Sequence, residues 1–325
     1  MSKYFRRIFL LGFLLIIISP VLPAQTIRVG TISQSINNWP LWIAQSKGFF
    51  TAEGVDVEVT VTGESEHQLD MVDSQQLEIF HQAADHFVRE IEDGKDYVII
   101  HTITRAANDL IVRPEFTSYE ELRGKTIALD NLQTGYWLLY RKVLQKYGLN
   151  PGDYHLSPES GGPRNRMKKV VDNDAQFTYM NAPASIQAEL DGFTRFTNLA
   201  EHFPEFPASS IGGRKTWVES NQDKVVAYLR GYIRASEWLR DPVNREQAID
   251  IAEDVGHDRA TLPGSYDTFI KNGLVRYGTL SREGLQLVGE VLMEGNVIES
   301  YRGMEKYADP TYQQKAKAEL FSPVE

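Results

Sequence analysis

The stretch Trp39 to Val59, WPLWIAQSKGFFTAEGVDVEV, limits what this chain can fold into more than any other segment. Pro40 opens an apolar run that ends at Ala44. Proline has no N–H to leave unpaired, so the run reads as the start of a helix. Gly48 predicts its stop, and Phe49, Phe50 and Glu53-Gly54 a compact turn. Val55, Val57 and Val59 then alternate with Asp56, Glu58 and Thr60, which is strand periodicity. Thr26 to Ile32, just upstream, reads as another strand. The three pieces make a β-α-β unit, with parallel strands and a right-handed crossover.

The same alternation continues. Short apolar runs at Leu77–Phe80, Tyr97–Ile103, Leu110–Val112, Lys125–Leu129 and Gln176–Met180 read as strands. Helical stretches are expected at Glu66–Val72, His86–Glu92, Tyr136–Tyr147, Met167–Val171 and Ala182–Leu190, the last opened by Pro183. Ser118 and Glu121 stand at capping-box spacing. Alternating strands and helices imply an α/β fold whose sheets carry helices on both faces. The elements from about Lys125 to Phe196 repeat those from Thr26 to Ile103, so two lobes are expected. The crossings are placed near Arg113-Pro114 and in Glu205 to Gly213, which is rich in Pro, Ser and Gly. This gives a division into 1–24, 25–112 (first lobe), 113–208 (second lobe) and 209–325, which returns to the first lobe. The last part is mostly helical: Gln222–Leu239 carries apolar residues at helical spacing, and Asn244–Val255, Tyr266–Asn272 and Ser281–Glu294 follow.

Charge and cysteine use narrow the function. Lys3, Arg6 and Arg7 precede an apolar run from Ile8 to Ile18, and Ser19, Pro20, Pro23 and Ala24 close it. That is the layout of a secretory signal peptide, and the run is shorter than the roughly 20 residues that span a bilayer. Removing those three basic residues takes the formal net charge from -10 to -13. An acidic body of this kind lacks the Lys/Arg surface that nucleic acid requires. There is no cysteine, so stability must come from burial rather than disulfides, and a lipidated-cysteine anchor is excluded. A monomeric periplasmic protein is expected.

Polar and aromatic side chains gather after the predicted strands. They are Asn37, Asn38 and Trp39 after the first, Ser65 after the second, His81 and Gln82 after the third, then Thr134, Gly135 and Tyr136, and finally Tyr179 and Asn181. In open α/β sheets ligands bind beyond the carboxyl ends of the strands, near free helix N-termini. These eleven residues are the expected ligand site. His81 and His86 are five apart, a poor fit to a helical metal pair, and neither a metal nor a cofactor is expected. No G-x-S-x-G is present, and Gly161-Gly162-Pro163-Arg164 is not a phosphate loop.

On these residues the chain resembles the periplasmic solute-binding proteins of ABC importers in the nitrate, sulfonate and taurine group, with the thiamine-pyrimidine binders. The resemblance rests on Ile27-Arg28-Val29-Gly30, on PLWIAQSKGFFTAEGVDVEV from Pro40, on Glu120 with Leu122-Arg123-Gly124-Lys125-Thr126-Ile127-Ala128, on Tyr147 to Asp153, and on Asn181-Ala182-Pro183. The run Leu69 to Glu78 departs from the family pattern: a glycine is missing and Glu78 holds an aspartate position. The resemblance implies a two-lobed periplasmic binding protein of type II-like architecture. Each lobe is a mixed sheet flanked by helices, and a hinge joins the two. Such a protein closes on a small molecule and delivers it to a membrane permease. Two alternatives stay open: a ligand-sensing module for a membrane kinase, and an enzyme resembling the pyrimidine synthases, although those carry a cysteine-rich motif.

For the ligand, Trp39, Phe80, Tyr136 and Tyr179 each fall at a strand-to-loop junction, whereas Arg105, Arg164 and Arg166 lie near the rim without firm placement. Aromatic faces with amides at their edge suit a small aromatic or heterocyclic molecule.

Overall fold

The computed structural model describes residues 25–159 and 162–322. The expected signal segment 1–24 and Gly161 lie outside the described residues.

β1 (Gln25–Thr31) and β2 (Val55–Val61) pair in parallel, from Gln25 opposite Val55 to Thr31 opposite Val61. Between them α1 (Trp39–Ser46) carries Pro40 in its first turn. Gly48 ends that turn of chain at φ +67, a left-handed conformation that costs glycine nothing. The β-α-β unit is therefore built as its prolines and glycines dictate.

The chain continues through α2 (Ser65–Asp73), β3 (Ile79–Ala83), α3 (Ala84–Glu92) and β4 (Tyr97–Arg105). It then crosses into β5 (Asn108–Val112), β6 (Thr126–Leu129), α4 (Gly135–Lys146), β7 (His155–Pro158), α5 (Gly162–Val171), β8 (Phe177–Asn181), α6 (Ala184–Leu190) and β9 (Thr194–Asn198). β10 (Pro207–Arg214) returns, followed by α7 (Gln222–Arg240), α8 (Arg245–Asp254), α9 (Leu262–Thr268), α10 (Arg282–Glu294) and α11 (Thr311–Phe321).

Two five-stranded sheets result, in the orders β2-β1-β3-β10-β4 and β7-β6-β8-β5-β9. They are built alike. In each, the fourth strand runs antiparallel to both neighbours: β10 against β3 and β4, β5 against β8 and β9. Each of these is the first strand after a crossing between the lobes.

Four details differ from expectation. Asn108–Val112 hydrogen-bonds to β8 and β9, so the first crossing is the short link Ala106-Ala107 and not Arg113-Pro114. Pro207 already pairs with Arg105, so the return to the first sheet begins two residues earlier than 209. β3 runs on to Ala83 and takes His81 and Gln82 into the ladder, where they pair with Ile211 and Ser210. Finally, the helix after Ser118 is a single 3-10 turn, Glu120–Leu122, in which Glu121 accepts from the Thr117 and Ser118 N–H groups at 2.6 and 3.0 Å.

One apolar cluster packs α1 and α7 on the first sheet, around Ile27, Leu41, Ile43, Ile100, Tyr228 and Ile233. A second runs unbroken between the lobes, from Phe80 and Phe87 through Leu285 and Val288 to Leu138 and Phe177. Its bridge is α10, which packs on both α3 and α4. Lys142 on α4 also reaches Glu294 on α10 at 2.6 Å. The C-terminal helices thus serve both lobes rather than the first alone. No helix among the described residues is long and apolar enough to cross a membrane.

Candidate functional site

The two sheets face each other across a cleft of about 520 Å³. The first lobe lines it with Ser33, Asn37, Asn38, His81, Gln82 and His86, and the second with Asn108, Asp130, Tyr136, Arg166, Tyr179 and Asn181. A hollow of about 750 Å³ at Glu92, Asp93 and Asn296 draws nothing from the second sheet.

On the first wall, side chains bond to one another. His81 Nδ1 donates to Asn38 Oδ1 at 2.8 Å, and the Tyr228 hydroxyl donates to His81 Nε2 at 2.9 Å. Asn38 Nδ2 in turn donates to the Ser33 carbonyl at 3.1 Å. This pattern fixes a neutral imidazole. Burial, then the nearby His101 ring, lowers the His81 pKa to about 3. Gln82 is equally committed: its Nε2 donates to Ser65 Oγ at 2.8 Å and to Gln68 Oε1 at 3.3 Å, and its Oε1 accepts from the Ala83 N–H at 2.9 Å.

The second wall is different. Tyr179 stacks on Tyr140 with ring centres 4.9 Å apart and donates its hydroxyl to Asp130 Oδ1. Burial, then Asp130, holds its phenol well above the usual range. Asp130 Oδ1 also accepts from Thr134 Oγ1 at 2.8 Å. Tyr136 lies at the start of α4 with its hydroxyl unbonded among the described residues. Burial, then Asp85 and Asp130, keeps that hydroxyl protonated. Arg166 is 6% exposed. Its Nη2 donates to the Tyr179 carbonyl at 3.2 Å, its guanidinium lies 5.3 Å from the Tyr179 ring centre, and its Nε has no partner. Asn108 is 5% exposed, and its Oδ1 is also without a partner.

Of the eleven residues expected at the site, Asn37, Asn38, His81, Gln82, Tyr136, Tyr179 and Asn181 line the cleft. Four do not. Trp39 is fully buried under α8 and α9: its indole N–H donates to the Ala248 carbonyl at 2.9 Å, and its ring meets Tyr266 edge-on at 5.8 Å. Ser65 sits behind Gln82 and lies 3.3 Å from His86 Nδ1. Thr134 is the N-cap of α4, accepting from the Trp137 N–H at 3.4 Å. Gly135 gives its N–H to Asp85 Oδ2 at 3.0 Å, a contact from one lobe to the other. A Cβ on Gly135 would stand 3.0 Å from that oxygen and 3.3 Å from Phe206, so a side chain there would require Asp85 and Phe206 to shift. Phe80 belongs to the core, stacked on Phe87 at 4.6 Å. An aromatic sandwich that includes Trp39 and Phe80 is thus ruled out, and the aromatic faces of the cleft are Tyr136 and Tyr179.

Asn108 and Arg166 were the residues least visible in the sequence. Asn108 begins an antiparallel strand and lies opposite Asn181, so it reaches the cleft from its strand's amino end. Ser209 does the same opposite Ala83. A search confined to the carboxyl ends of strands passes over both. Arg166 shares its helix face with buried Val170, four residues on. That spacing from an apolar residue was its one signal.

The family described as NMT1/THI5 like matches residues 35–244. The chain belongs to that family. Among curated proteins, YtlA of Bacillus subtilis (strain 168), a binding protein by assignment only, is 21% identical over 221 residues, 66% of either chain. Among solved structures, the periplasmic aliphatic sulphonate binding protein SsuA from Escherichia coli has a TM-score of 0.73 at 13% identity, over 87% of this chain and 91% of that one. The periplasmic nitrate-binding protein NrtA from Synechocystis PCC 6803 gives 0.72 at 15%, over 92% and 90%. The desulfurization enzyme DSZB, solved as a cysteine-to-serine mutant with biphenyl-2-sulfinic acid, gives 0.69 at 14%, over 91% and 99%. At these identities the structures share the fold, and the two-lobed binding-protein architecture is shown.

Proposed function

We propose that this NMT1/THI5-like chain is the solute-binding component of an ABC importer. It takes a small organic molecule into the cleft between its lobes and presents it to an inner-membrane permease. The observation that carries the reading is the cleft itself. Both sheets contribute polar side chains to it, and its size suits a small ligand. The crossings at 106–107 and 199–206 would serve as the hinge, and closure would be stabilised by contacts the ligand makes with both walls at once. The N-terminal segment 1–24 would direct the protein to the periplasm.

Catalysis has less support. His81 has both ring nitrogens committed. Ser65 and His86 stand 3.3 Å apart, but Ser65 Oγ already accepts from Gln82, and no carboxylate bonds to His86 among the described residues. A nucleophile needs a base that is itself oriented. The enzyme among the structural neighbours was captured as a cysteine mutant, and this chain has no cysteine.

The test is a thermal-shift screen of the purified protein against carboxylates, sulfonates, nitrate and pyrimidines, with mass spectrometry of each hit after incubation. A ligand that binds only the folded state raises the midpoint by mass action. The expected result is a shift with the compound recovered unchanged. Turnover to a new product would overturn the binding reading.

A further inference from the structure

Arg166 is a charge without a counter-charge. Arginine stays protonated at any physiological pH, and burying an ion without a partner is among the more costly things a fold can do. Yet this side chain has one hydrogen bond, to a neutral carbonyl, and one aromatic face. Its Nε is bare, and no carboxylate oxygen lies within ion-pair distance among the described residues. The acids nearest in sequence are engaged elsewhere: Glu159 with Lys169 at 3.5 Å, and Asp172 with Lys168. Asp130, in the same cleft, is held by Tyr179 and Thr134.

We propose that the ligand is a small carboxylate that also carries an N–H or O–H donor, with its acid group on Arg166 and its donor on Asn108 Oδ1. This rests on the binding reading above and names the ligand class for the same cleft. Three observations choose a carboxylate over an anion with three or more oxygens. First, the start of α4, where free N–H groups would serve such an anion, is already filled: Asp85 takes Gly135 N–H and Thr134 takes Trp137 N–H. Second, Arg166 lines the cleft with its guanidinium Nε unpaired, and that planar fork matches two planar carboxylate oxygens. Third, Asp85 and Asp130 stand near Tyr136, so a doubly charged oxyanion such as phosphate would be repelled; the singly charged sulfonates and nitrate are separated from a carboxylate by the first two observations. Asn108 supplies the other half of the recognition. Its buried Oδ1 needs a donor, and an unmet acceptor discriminates strongly against a ligand that cannot meet it.

Two experiments decide the point. The first needs no knowledge of the natural ligand. Thermal midpoints of wild type, Arg166→Gln and Arg166→Lys are compared in sodium acetate and sodium methanesulfonate at equal ionic strength. The difference between wild type and variant cancels the general effect of each salt. Acetate should raise the wild-type midpoint more than methanesulfonate does. The gain should disappear in R166Q and shrink in R166K, which keeps the charge without the fork. If R166Q gives no cooperative transition, wild type against R166K decides. Equal responses in wild type and variant overturn the proposal, and so does a response to methanesulfonate alone.

The second experiment measures Kd by calorimetry for pyrrole-2-carboxylate, its methyl ester and benzoate. Loss of the arginine should weaken pyrrole-2-carboxylate at least about 30-fold. Asn108→Leu should bring it level with benzoate. A methyl ester that binds wild type and R166Q alike overturns the carboxylate and leaves the binding-protein reading standing. Conversion of a bound compound to product overturns that reading instead, and the acetate comparison still decides the role of Arg166.

Discussion

The two walls of the cleft are built from equivalent strands and have opposite chemistry. On the first wall, the Asn38–His81–Tyr228 chain and the Gln82–Ser65–Gln68 cluster consume nearly all their own hydrogen-bonding capacity. On the second, Arg166 Nε and Asn108 Oδ1 have no partner, and both residues line the same space. The difference follows from what lies behind each wall. His81 and Gln82 are backed by α2 and α7, whose polar side chains reach through to them. Around Arg166 and Asn108 the same helix and the paired strand bury apolar residues, Val170 and Met180, which offer no partner. A closed network is a rigid frame, whereas an open one is a request for a ligand. The first wall should therefore govern stability and the second affinity.

The strongest way to break that division is Trp39→Ala. Trp39 stands next in sequence to cleft-lining Asn38 but packs wholly within the first lobe. Removing it empties a site among Tyr266, Phe269 and the α8 backbone, and should destabilise the fold by about 3–5 kcal/mol in urea denaturation. Ligand affinity of the protein that remains folded should be unchanged. A loss of affinity without a loss of stability would return Trp39 to the ligand site.

Acid sharpens the same contrast. Burial lowers the pKa of both His81 and His101 from 6.5 to about 3. The unfolded chain therefore takes up these protons first. The stability that the neutral rings contribute is complete above about pH 6.5 and is lost as the pH falls toward 3. At pH 5 each histidine should cost about 2 kcal/mol relative to neutral pH. His101→Asn should remove about half of the acid dependence measured from pH 7.5 to 5. A wild-type denaturation midpoint that is flat across that range would show that the rings are not held neutral.

The division also explains what could be read from the sequence. The β-α-β unit was legible because Pro40, Gly48 and the Val55–Val59 alternation each have a single local meaning. The elements β7 and β9 were not: β7 (HLSP) is short and mostly exposed, with no apolar alternation to betray it. The placement of β5 failed for another reason. A buried apolar run such as Leu110-Ile111-Val112 says that it is a strand but not which sheet it joins. At the site, the carboxyl ends of β3 and β8 bring His81, Gln82, Tyr179 and Asn181 to the cleft. Trp39 failed because successive residues on a helix turn through about 100°, so the neighbour of a cleft residue faces elsewhere. Arg166 was masked by Arg164, Lys168 and Lys169, whose charges hide the one side chain that turns inward.

The mildest test is Tyr228→Phe. It deletes one oxygen, that of the hydroxyl donating to His81 Nε2 at 2.9 Å, and leaves the ring stacked on Phe50, 5.0 Å away. Losing one buried hydrogen bond should destabilise the protein by about 1 kcal/mol at neutral pH. The effect should shrink in acid. The hydroxyl favours the neutral imidazole, so its loss raises the His81 pKa and flattens the decline between pH 6.5 and 5. Affinity for a carboxylate probe should stay within about 2-fold of wild type, since Tyr228 reaches the cleft only through His81. A variant that keeps its stability but loses the probe would mean that the first wall also reads the ligand, and the division between frame and reader would fall.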